Sequence, residues 1–315
     1  MLRAAKDAAQ WVIRNMNSEF LLVTGYKKQA SFAQKGELSN QIYLFDNGMV
    51  MIGLLNLYKI TGRQDMLRFA MMMADSLLKY FFDGTIITHA LLDRRYEPLN
   101  LNDEKWSTLP GVYHSKLSLG FLELSNLSDN RSYAKISDHI CEFAISLQRS
   151  DGSFETYPHS QITHLHPHLY ACEGLIYSGI SQSNEKFLRS GLQGIIWATG
   201  QLNARGGLPR DNSGASAEQS DAMCQLLRLL TLCYTELNEF MAQSEIKRYI
   251  DLLHNRILDF CITSSDGNRG GLRYQLELET TCSWCTMFCM QALRLWEKWK
   301  CGQINDDVKR MDFFV

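Results

Sequence analysis

The sequence predicts an all-α protein, an α/α toroid (barrel) of five to six helical hairpins, and three observations lead to this class. A unit of two helices followed by a Gly-rich turn repeats along the chain. The first helix of each unit is apolar nearly all round, whereas the second has one polar face. The first helix has no preceding partner helix and the last has no following one, so we expect these two helices to pair and close a ring.

Four complete units follow one another in the chain. They pair residues 46–60 with 63–81, 112–127 with 131–148, 167–179 with 184–201, and 217–237 with 244–262. Single helices at 2–16 and 281–299 stand at the two ends. The apolar helices are expected inside and the amphipathic helices outside. A two-layer solenoid is the alternative all-α arrangement, and the absence of β-branched runs argues against a parallel α/β fold.

Composition sets bounds on the class of protein. The 315 residues, 45% of them hydrophobic, fit one domain that spans 1–315. The net charge of −2 gives no reason to expect nucleic acid or an anionic membrane as a partner. No apolar run reaches the roughly 18 residues that a membrane span needs. The sequence does not predict the oligomeric state.

The nine cysteines are an odd number and lie in apolar helical segments. This usage is typical of reduced thiols in a cytoplasmic protein, and a cytoplasmic location is therefore expected. Cys282, Cys285 and Cys289 have the spacing C-x2-C-x3-C on one face of an apolar helix. We interpret these three thiols as core packing rather than as an iron–sulfur site.

Short phrases in the apolar helices carry a resemblance to known proteins. FDNGMVMIGLLNLYKITG, TLPGVYHSKLSLGFLEL and THLHPHLYACEGLIYSG resemble segments of the α/α-toroid superfamily. That superfamily includes six-hairpin glycosidases, uronyl hydrolases, polysaccharide lyases and sugar epimerases and, separately, terpenoid cyclases. The resemblance covers nearly the whole chain and implies an enzyme of carbohydrate metabolism that acts on an oligosaccharide or polysaccharide. The common nucleotide-binding and hydrolase signatures are absent from the sequence, and we expect no cofactor.

All inner helices of a toroid run in the same direction, so their N-terminal ends open on one face. Those ends carry polar or aromatic residues: Asp46, Tyr113, His114, His166, His168, Tyr170, Asp221 and Trp284. Helix capping or packing explains any single one of them as well as function does. Their convergence at five helix starts favours one polar cleft on an apolar barrel, which is the usual setting of a small-molecule or glycan site.

Asp46 and Asp221 are the predicted carboxylates of a glycoside hydrolase. Hydrolysis needs one carboxylic acid to protonate the leaving oxygen and one carboxylate as base or nucleophile. The resemblance supports this interpretation, since uronyl hydrolases of this fold rely on aspartate at the mouth of the barrel, the face where the inner helices begin. His114 and His166 are further catalytic candidates.

Aromatic and basic residues are the predicted substrate-binding groups. Trp284 and Tyr113 would offer apolar faces to a sugar ring, with His168 and Tyr170 beside them. Arg205, Arg210 and Arg273 lie in the Gly-rich turns that should rim the same face, where they could bind a uronate carboxylate. A solvated loop charge is the alternative role of each arginine.

The run His164-Leu165-His166-Pro167-His168 has the look of a metal site but supplies too few ligands locally, so we expect no metal. Pro167 suits the first position of a helix, which would make His166 its cap. A pairing of His166 with Tyr170 or Tyr113 would also serve proton abstraction beside a uronate carboxylate. A polysaccharide lyase or a sugar epimerase is therefore the alternative to the hydrolase.

Two further functions remain open. A non-catalytic glycan-binding protein of polysaccharide biosynthesis would use the same cleft. A terpene cyclase would need an Asp-x-Asp-Asp motif, which is missing; the adjacent pair Asp306-Asp307 lies in a charged tail. The long non-helical segments at 17–44 and 84–110 are expected to pack over the mouth and shape the cleft.

The phrase QRSDGSF at 148–154 resembles a Gln–Asp-Gly–aromatic phrase of triterpene cyclases. We interpret it as the exit of an outer helix. Gln148 would bond free helix-end groups, Asp151 and Gly152 would make a tight turn, and Phe154 would anchor the chain. The looser phrases QLNARGGL and SSDGNRGGL are predicted to mark the same position in later units.

Overall fold

The computed structural model describes residues 2–23, 41–99, 105–263, 269–278 and 280–304. These residues fall into two compact units, the first ending at Phe143 and the second beginning at Ala144. Each unit is described separately below. The prediction of one domain over the whole chain stays a prediction.

The first unit contains four helices with their short strands, and a fifth helix runs across its end. The helices among its described residues are α1 (Leu2–Asn15), α2 (Leu44–Thr61), α3 (Gln64–Phe81), α4 (Ser118–Ser128) and α5 (Arg131–Ser146). Two-residue strands pair antiparallel, β1 (Ile42–Tyr43) with β4 (Leu91–Leu92) and β2 (Phe82–Asp83) with β3 (Ile86–Ile87). Helix α2 packs against α1, α3 and α4, which places the most apolar helix at the centre of this unit.

The second unit continues with α6 (Leu165–Gln182), α7 (Glu185–Thr199), α8 (Ser220–Leu232), α9 (Tyr234–Leu237), α10 (Gln243–Leu258) and α11 (Ser283–Lys300). Every residue of α8 is buried. It packs against α6, α7, α10 and α11. Most side chains of α8 are apolar, and its polar residues Asp221, Gln225 and Arg228 are buried as well, so a central position fits its sequence.

The predicted hairpins are present with small shifts at their ends. The first half of the predicted helix 112–127 is instead a 3₁₀ segment, Val112–Leu117, that leads into α4. Residues 24–40 and 100–104 of the two predicted covering segments lie outside the described part of the chain. Of the rest, Ile42 pairs with Leu92, so the two segments are joined to each other. Their packing over a mouth stays a prediction.

The predicted cap of one helix is wrong, and the cap of another was not predicted. Helix α6 begins at Leu165 and its N-cap is His164, so Pro167 is the third helical residue and His166 is not the cap. Proline is accepted there because the first N–H groups of a helix have no intrahelical partner. Helix α2 is capped by Tyr43, which leaves Asp46 in the first turn rather than at the cap.

A buried ion pair fixes the register of α6 and α8. Arg228 donates from Nη1 to Oε1 of Glu173, and both side chains are 1% exposed. Seven residues earlier on both helices, His166 lies beside Asp221. Contacts at i and i+7 on both partners require the two helices to be parallel and in step, with the two pairs about 10 Å apart along the axis.

The turn QRSDGSF binds the following outer helix in its middle. Gln148 donates from Nε2 to the carbonyl oxygens of Ser190 on α7 (2.9 Å) and Gly152 (3.1 Å). The expectation that Gln148 satisfies free helix-end groups is therefore wrong at Ser190, which lies within α7. Asp151 accepts from Ser153 N at 2.9 Å, which forms the expected turn, and Phe154 is fully buried.

Glycines with positive φ repeat at this position. Gly152 (φ +93°) lies against the carbonyl of Gln193 on α7, and Gly206 (φ +83°) lies against the carbonyl of Leu252 on α10. A Cβ atom would come within 2.7 Å of the first oxygen and 2.5 Å of the second. The first two of the three turn phrases predicted from sequence therefore mark points where one hairpin contacts the next outer helix.

None of the helices in the described ranges combines the length and the hydropathy needed to cross a lipid bilayer.

Candidate active site

The N-terminal ends of α6 and α8 in the second unit are held by backbone hydrogen bonds from loops. Leu165 N donates to the carbonyl oxygen of Arg210 over 2.9 Å, and Ser220 N donates to that of Tyr274 over 3.1 Å. The hydroxyl of Ser220 also donates to the Arg273 carbonyl at 2.6 Å. Side chains at these helix starts therefore stand on rigid backbone, which a preorganised site needs.

Three predicted site residues meet at the starts of α6, α8 and α11. Nδ1 of His166 lies 3.3 Å from Oδ2 of Asp221. The indole Nε1 of Trp284 donates to the same oxygen, also over 3.3 Å. The backbone N–H of Ala222 donates to Oδ1 of Asp221 over 2.8 Å. Both oxygens of this carboxylate thus have nitrogen neighbours within 3.3 Å.

The burial of this group differs sharply from residue to residue. Asp221 is 2% exposed, the side chain of His166 is 16% exposed, and Trp284 is 51% exposed. Asp221 lies in the first turn of α8, where the helix dipole favours an anion. A buried carboxylate beside Nδ1 orients the imidazole and directs Nε2 away from itself. Proton exchange with a ligand would therefore take place at Nε2.

Aromatic rings surround His166. Tyr170 lies edge-to-face with its imidazole at 4.6 Å between ring centroids, and Phe288 does so at 6.0 Å. Tyr274 lies 6.0 Å from the ring of Trp284. Such rings give a sugar apolar faces to lie against while the His–Asp pair supplies the polar contact.

Tyr274 keeps its proton at neutral pH. Burial of its hydroxyl, followed by the negative charge of Asp221, raises its pKa above the ordinary value of a tyrosine. The phenol near Asp221 is therefore a neutral O–H donor across the ordinary pH range.

Arg210 lies at the edge of this group and has a carboxylate partner of its own. Its Nε donates to Oδ2 of Asp211 over 2.8 Å, and its side chain is 54% exposed. Burial would raise the pKa of Asp211, but hydrogen bonds from Ser213 and Arg210 outweigh it and lower that pKa to about 2. Asp211 is thus an anion that holds the loop, and it neutralises much of the charge that Arg210 could offer to a ligand.

His168, a predicted substrate-binding residue, is instead a structural histidine. It is fully buried; its Nδ1 accepts from Phe154 N at 3.3 Å, and its Nε2 donates to the Gly194 carbonyl at 2.9 Å. Burial lowers its pKa to about 4. Both nitrogens are used within the protein, so His168 ties the 148–154 turn to α6 and α7.

The predicted residues of the first unit occupy two different environments. Asp46 is exposed in the first turn of α2. Tyr113 is 1% exposed, and its hydroxyl donates to the Leu109 carbonyl at 3.0 Å, so its ring faces are not open for the predicted sugar stacking. Burial, followed by the charge of Asp46, raises the pKa of Tyr113.

His114 is fully buried beside Tyr113, with ring centroids 4.0 Å apart. Its Nδ1 accepts from Gly111 N at 3.2 Å, and Nε2 has no hydrogen-bond partner among the described residues. Burial lowers its pKa to about 3. A histidine in this environment serves packing better than the predicted catalysis. Any catalytic role of Asp46 stays a prediction.

Arg205 lies near the end of α10, where its Nη2 is 3.9 Å from Oδ2 of Asp259, and 74% of its side chain is exposed. Its place at the rim of a ligand site stays a prediction.

The histidine run does not converge on one point. His164 faces Tyr157, His166 faces Asp221, and His168 faces Gly194. Across the described ranges no cluster of three or more His, Cys, Asp or Glu side chains is arranged to hold a metal ion. Cys282, Cys285 and Cys289 are buried free thiols. Burial, followed by the charge of Asp221, raises the pKa of Cys285, so it stays protonated.

Sequence reasoning missed Tyr274 and Phe288. Tyr274 directly follows Arg273 in the last Gly-rich turn, and the sequence had already marked this turn as a candidate binding loop because of Arg273. Phe288 is one helical turn after Trp284 on α11, on the same face. Both could have been found by extending each helix start by one turn and each Gly-rich turn by one residue.

No family model matches the chain, and no curated protein sequence matches it. Solved structures do match it. D-mannose isomerase has a TM-score of 0.69 and 12% identity, and the match covers 99% of this chain and 85% of that one. Unsaturated glucuronyl hydrolase from Bacillus sp. GL1 has a TM-score of 0.62 and 13% identity, with 81% and 74% covered.

An inactive variant of α-1,6-mannanase from Salegentibacter sp. HEL1_6, in complex with α-1,6-mannotetrose, has a TM-score of 0.64 and 12% identity, with 99% and 84% covered. Identities this low establish the fold and nothing finer. All three are enzymes of one architecture, in which helical hairpins form a ring. The chain therefore has the α/α-toroid fold of these enzymes, as the repeats in its sequence predicted.

Proposed function

We propose that the protein is a carbohydrate-active enzyme in which His166, oriented by Asp221, transfers a proton at a sugar carbon. The reaction class is that of a sugar isomerase or epimerase. The observation that carries the proposal is the 3.3 Å approach of His166 Nδ1 to Oδ2 of the buried Asp221. This arrangement supports a histidine base better than it supports a carboxylic acid.

The chemistry follows from the acidity of a C–H bond next to a carbonyl group. In the open-chain form of an aldose, Nε2 of His166 would take the proton from C2, and the electron pair would move to the carbonyl oxygen. To give the ketose, the imidazolium returns the proton to C1 and the O2 hydroxyl passes its proton to O1. To give the epimer, the enediolate turns the opposite face of C2 toward the same imidazolium before the proton returns and the C1 carbonyl re-forms. Asp221 stabilises the imidazolium that exists between the two transfers.

Tyr274 is suited to the oxygen where the charge develops. Its raised pKa keeps the phenol protonated, so it can donate a hydrogen bond to an enediolate oxygen. The exposed ring of Trp284, anchored through Nε1 to Asp221, offers a flat face for the sugar. The likeness to D-mannose isomerase supports this reaction class.

Glycoside hydrolysis is the second candidate, favoured by the likeness to unsaturated glucuronyl hydrolase. It needs a carboxylic acid that can protonate a leaving oxygen. Both oxygens of Asp221 lie beside N–H groups, and the pKa of Asp211 near 2 excludes it as an acid. The predicted pair of Asp46 with Asp221 is the remaining route, and it belongs to this second candidate.

The α-1,6-mannanase offers a further contrast. Its inactive variant lacks two adjacent aspartates, which are replaced by alanine. The one adjacent pair in this sequence, Asp306-Asp307, lies outside the described residues. A mechanism based on neighbouring aspartates thus has no support at the helix starts.

A cytoplasmic location remains part of the proposal. All nine cysteines are free thiols, and most are buried, which suits a reducing compartment.

Solvent exchange tests the reaction. The protein is incubated in D₂O with D-mannose, D-glucose, cellobiose and mannotriose, and proton NMR follows the C2–H signal of each reducing sugar. Proton transfer predicts loss of that signal with appearance of an isomer, and its abolition by His166→Asn. New reducing ends without exchange would select hydrolysis, and an unsaturated-uronate absorbance with glucuronate-containing oligosaccharides would select a lyase. Binding of these sugars without any turnover would contradict the proposal that the protein is an enzyme.

A further inference from the structure

A second cavity lies in the same unit as the His166–Asp221 pair. It has a volume of about 430 Å³ and is lined by residues that include Asn203, Pro209, Ala217, Glu218, Arg256 and Glu277. This volume falls within the usual range for small-molecule sites. None of its lining residues belongs to the group around Asp221.

One loop segment separates this cavity from the candidate active site. Pro209 pairs antiparallel with Glu218, and Arg210 N donates to the Ala217 carbonyl at 3.0 Å, which makes a short hairpin. Adjacent residues of an extended segment point to opposite faces. Pro209 lines the cavity, whereas the charge of Arg210 acts on Tyr274 beside Asp221. The hairpin thus presents one face to each site.

The loop that carries Tyr274 is also shared. Leu276 and Glu277, which follow Tyr274 by two and three residues, line the cavity. The backbone that delivers Tyr274 and Arg210 to one site therefore delivers Glu277 and Pro209 to the other. A ligand held in the cavity lies next to both loops that edge the active site.

The wall of the cavity is held rigidly. Oε1 of Glu218 accepts from Asn203 Nδ2 at 2.7 Å, and its Oε2 accepts from Arg256 Nε at 2.8 Å. Oδ1 of Asn203 accepts from the backbone N–H of Arg205 and of Gly207, both at 2.9 Å. Arg256 is 7% exposed, so this charge is built into the wall.

Gly207 makes this packing possible. A Cβ atom at that position would lie 2.2 Å from the carboxylate of Glu218. The chain therefore uses a residue without a side chain here, so that Glu218 can lie across the backbone and form the wall of the cavity.

The charges in the wall select the class of ligand. Arg256 is shared between Glu218 and Asp259, the latter at 2.6 Å, and Glu277 adds a third carboxylate nearby. Among the lining residues, one cation, Arg256, therefore faces two carboxylates, Glu218 and Glu277, which disfavours an anionic ligand. Carboxylate and amide oxygens accept hydrogen bonds from sugar hydroxyls or from an amino group, and Pro209 and Leu276 give apolar contact.

We propose that this cavity binds a second, non-anionic sugar unit, a neutral hexose or an amino hexose, and that it does not accept a uronate. The ligand class rests on the proposed function, since both sites would hold parts of carbohydrate ligands. Binding at the cavity and chemistry at His166 are nevertheless separable, because no residue is shared between them.

The test measures binding in protein whose candidate active site has been disabled. The double variant Asp221→Asn/Trp284→Ala is compared with the same protein carrying Ala217→Phe, which fills the cavity from an exposed loop position. Saturation-transfer NMR is recorded with D-glucose, D-glucosamine and D-glucuronate at millimolar concentration. Circular dichroism melting confirms that each variant is folded.

The proposal predicts signals from glucose and glucosamine in the double variant and no signal from glucuronate. Ala217→Phe should abolish both signals. Glu277→Lys should weaken the glucosamine signal at least fivefold relative to the glucose signal. Signals that survive Ala217→Phe, or the absence of any signal from the double variant, would overturn the second site. Neither result depends on turnover. A wild-type protein that shows no turnover but binds glucosamine would therefore contradict the proposed function and leave the second site standing.

Discussion

The two oxygens of Asp221 face two N–H groups and a ring nitrogen of His166, and these neighbours define its chemistry. Ala222 N engages one oxygen, and Trp284 Nε1 and His166 Nδ1 approach the other. A carboxylate so surrounded orients and stabilises a histidine rather than delivering a proton. The catalytic assignment therefore moves from a pair of aspartates to His166.

Replacing Asp221 by asparagine tests that assignment at one atom. The amide keeps the shape but can present an N–H toward His166 and so favour the wrong tautomer. We expect kcat to fall about 10² to 10⁴-fold, with the melting temperature shifted by only a few degrees. Asp251→Asn, an exposed carboxylate on α10, is the control and should keep full activity. Equal rates for the wild type and Asp221→Asn would rule out the role of this carboxylate.

Gln225 is a second informative residue on α8. It is 1% exposed, and neither its Nε2 nor its Oε1 has a hydrogen-bond partner in the described part of the chain. It stands one turn after Asp221 and just before Arg228, on the buried face between the His166–Asp221 contact and the Glu173–Arg228 ion pair. An unsatisfied buried amide destabilises a protein.

Gln225→Met keeps the length of the side chain and removes the unsatisfied groups. We expect the free energy of unfolding to rise by about 1 kcal/mol, measured by urea denaturation. Gln225→Glu should lower it, because it adds a charge at the same buried place. A loss of stability in the methionine variant would mean that the amide makes hydrogen bonds that this structure does not contain.

At the scale of elements, the helix boundaries were largely predictable. The helix predicted at 63–81 is found at Gln64–Phe81, and the one at 281–299 is found at Ser283–Lys300. Periodicity of 3.6 residues and Gly-rich turns were sufficient for this accuracy. The 3₁₀ segment Val112–Leu117 was not predicted, because no Gly or Pro separates it from the helix that follows.

The contacts between hairpins depend on glycines that touch a neighbouring helix. Gly152 and Gly206 have positive φ and lie against backbone carbonyls, whereas Gly270 has the same φ of +83° as Gly206 with nothing within 4 Å of its Cβ position. A side chain at Gly270 would therefore meet backbone strain alone, whereas one at Gly152 or Gly206 would meet both strain and a steric clash.

Alanine at each of these glycines should give two different outcomes. Gly270→Ala should cost about 1 kcal/mol of unfolding free energy, since it carries strain alone. Gly152→Ala and Gly206→Ala should cost about 3 kcal/mol or more, because the methyl group also collides with a carbonyl oxygen. Urea denaturation measures all three. Equal losses would show that the helix contacts do not constrain these turns.

At the scale of the whole molecule, two buried histidines tie stability to pH. The pKa of His168 is lowered to about 4 and that of His114 to about 3, both by burial, from an ordinary value of 6.5. Above pH 6.5 both residues are neutral in the folded and unfolded chain. As pH falls below 6.5 the unfolded chain takes up protons that the folded chain does not, so stability is lost.

On acidification from pH 7.5 to pH 5, each of these histidines should account for a fall of about 2 kcal/mol in the free energy of unfolding. His168→Asn should be less stable than the wild type at pH 7.5, since it loses the bonds to Phe154 and Gly194, but should lose about 2 kcal/mol less on acidification. His139→Gln, an exposed histidine, should follow the wild type. Parallel pH curves for all three proteins would contradict the burial of a neutral His168.

The ring of hairpins was predictable as a class because it needs only a pattern of apolar and amphipathic helices. That pattern persists in solved structures at 12% identity. The site was predictable only as a list of helix starts. His166, Asp221 and Trp284 do come together, whereas His168 and His114 are buried inside the protein, because burial depends on packing that one sequence position does not reveal.

A crystal structure of His166→Asn soaked with D-mannose would show whether His166 lies at the reacting carbon. We expect a sugar against the indole of Trp284, with its C2 atom about 3–3.5 Å from the position that Nε2 of His166 would occupy. An oxygen of the sugar should lie within hydrogen-bond distance of the Tyr274 hydroxyl. Soaks at saturating sugar that leave the starts of α6, α8 and α11 empty would contradict this expectation.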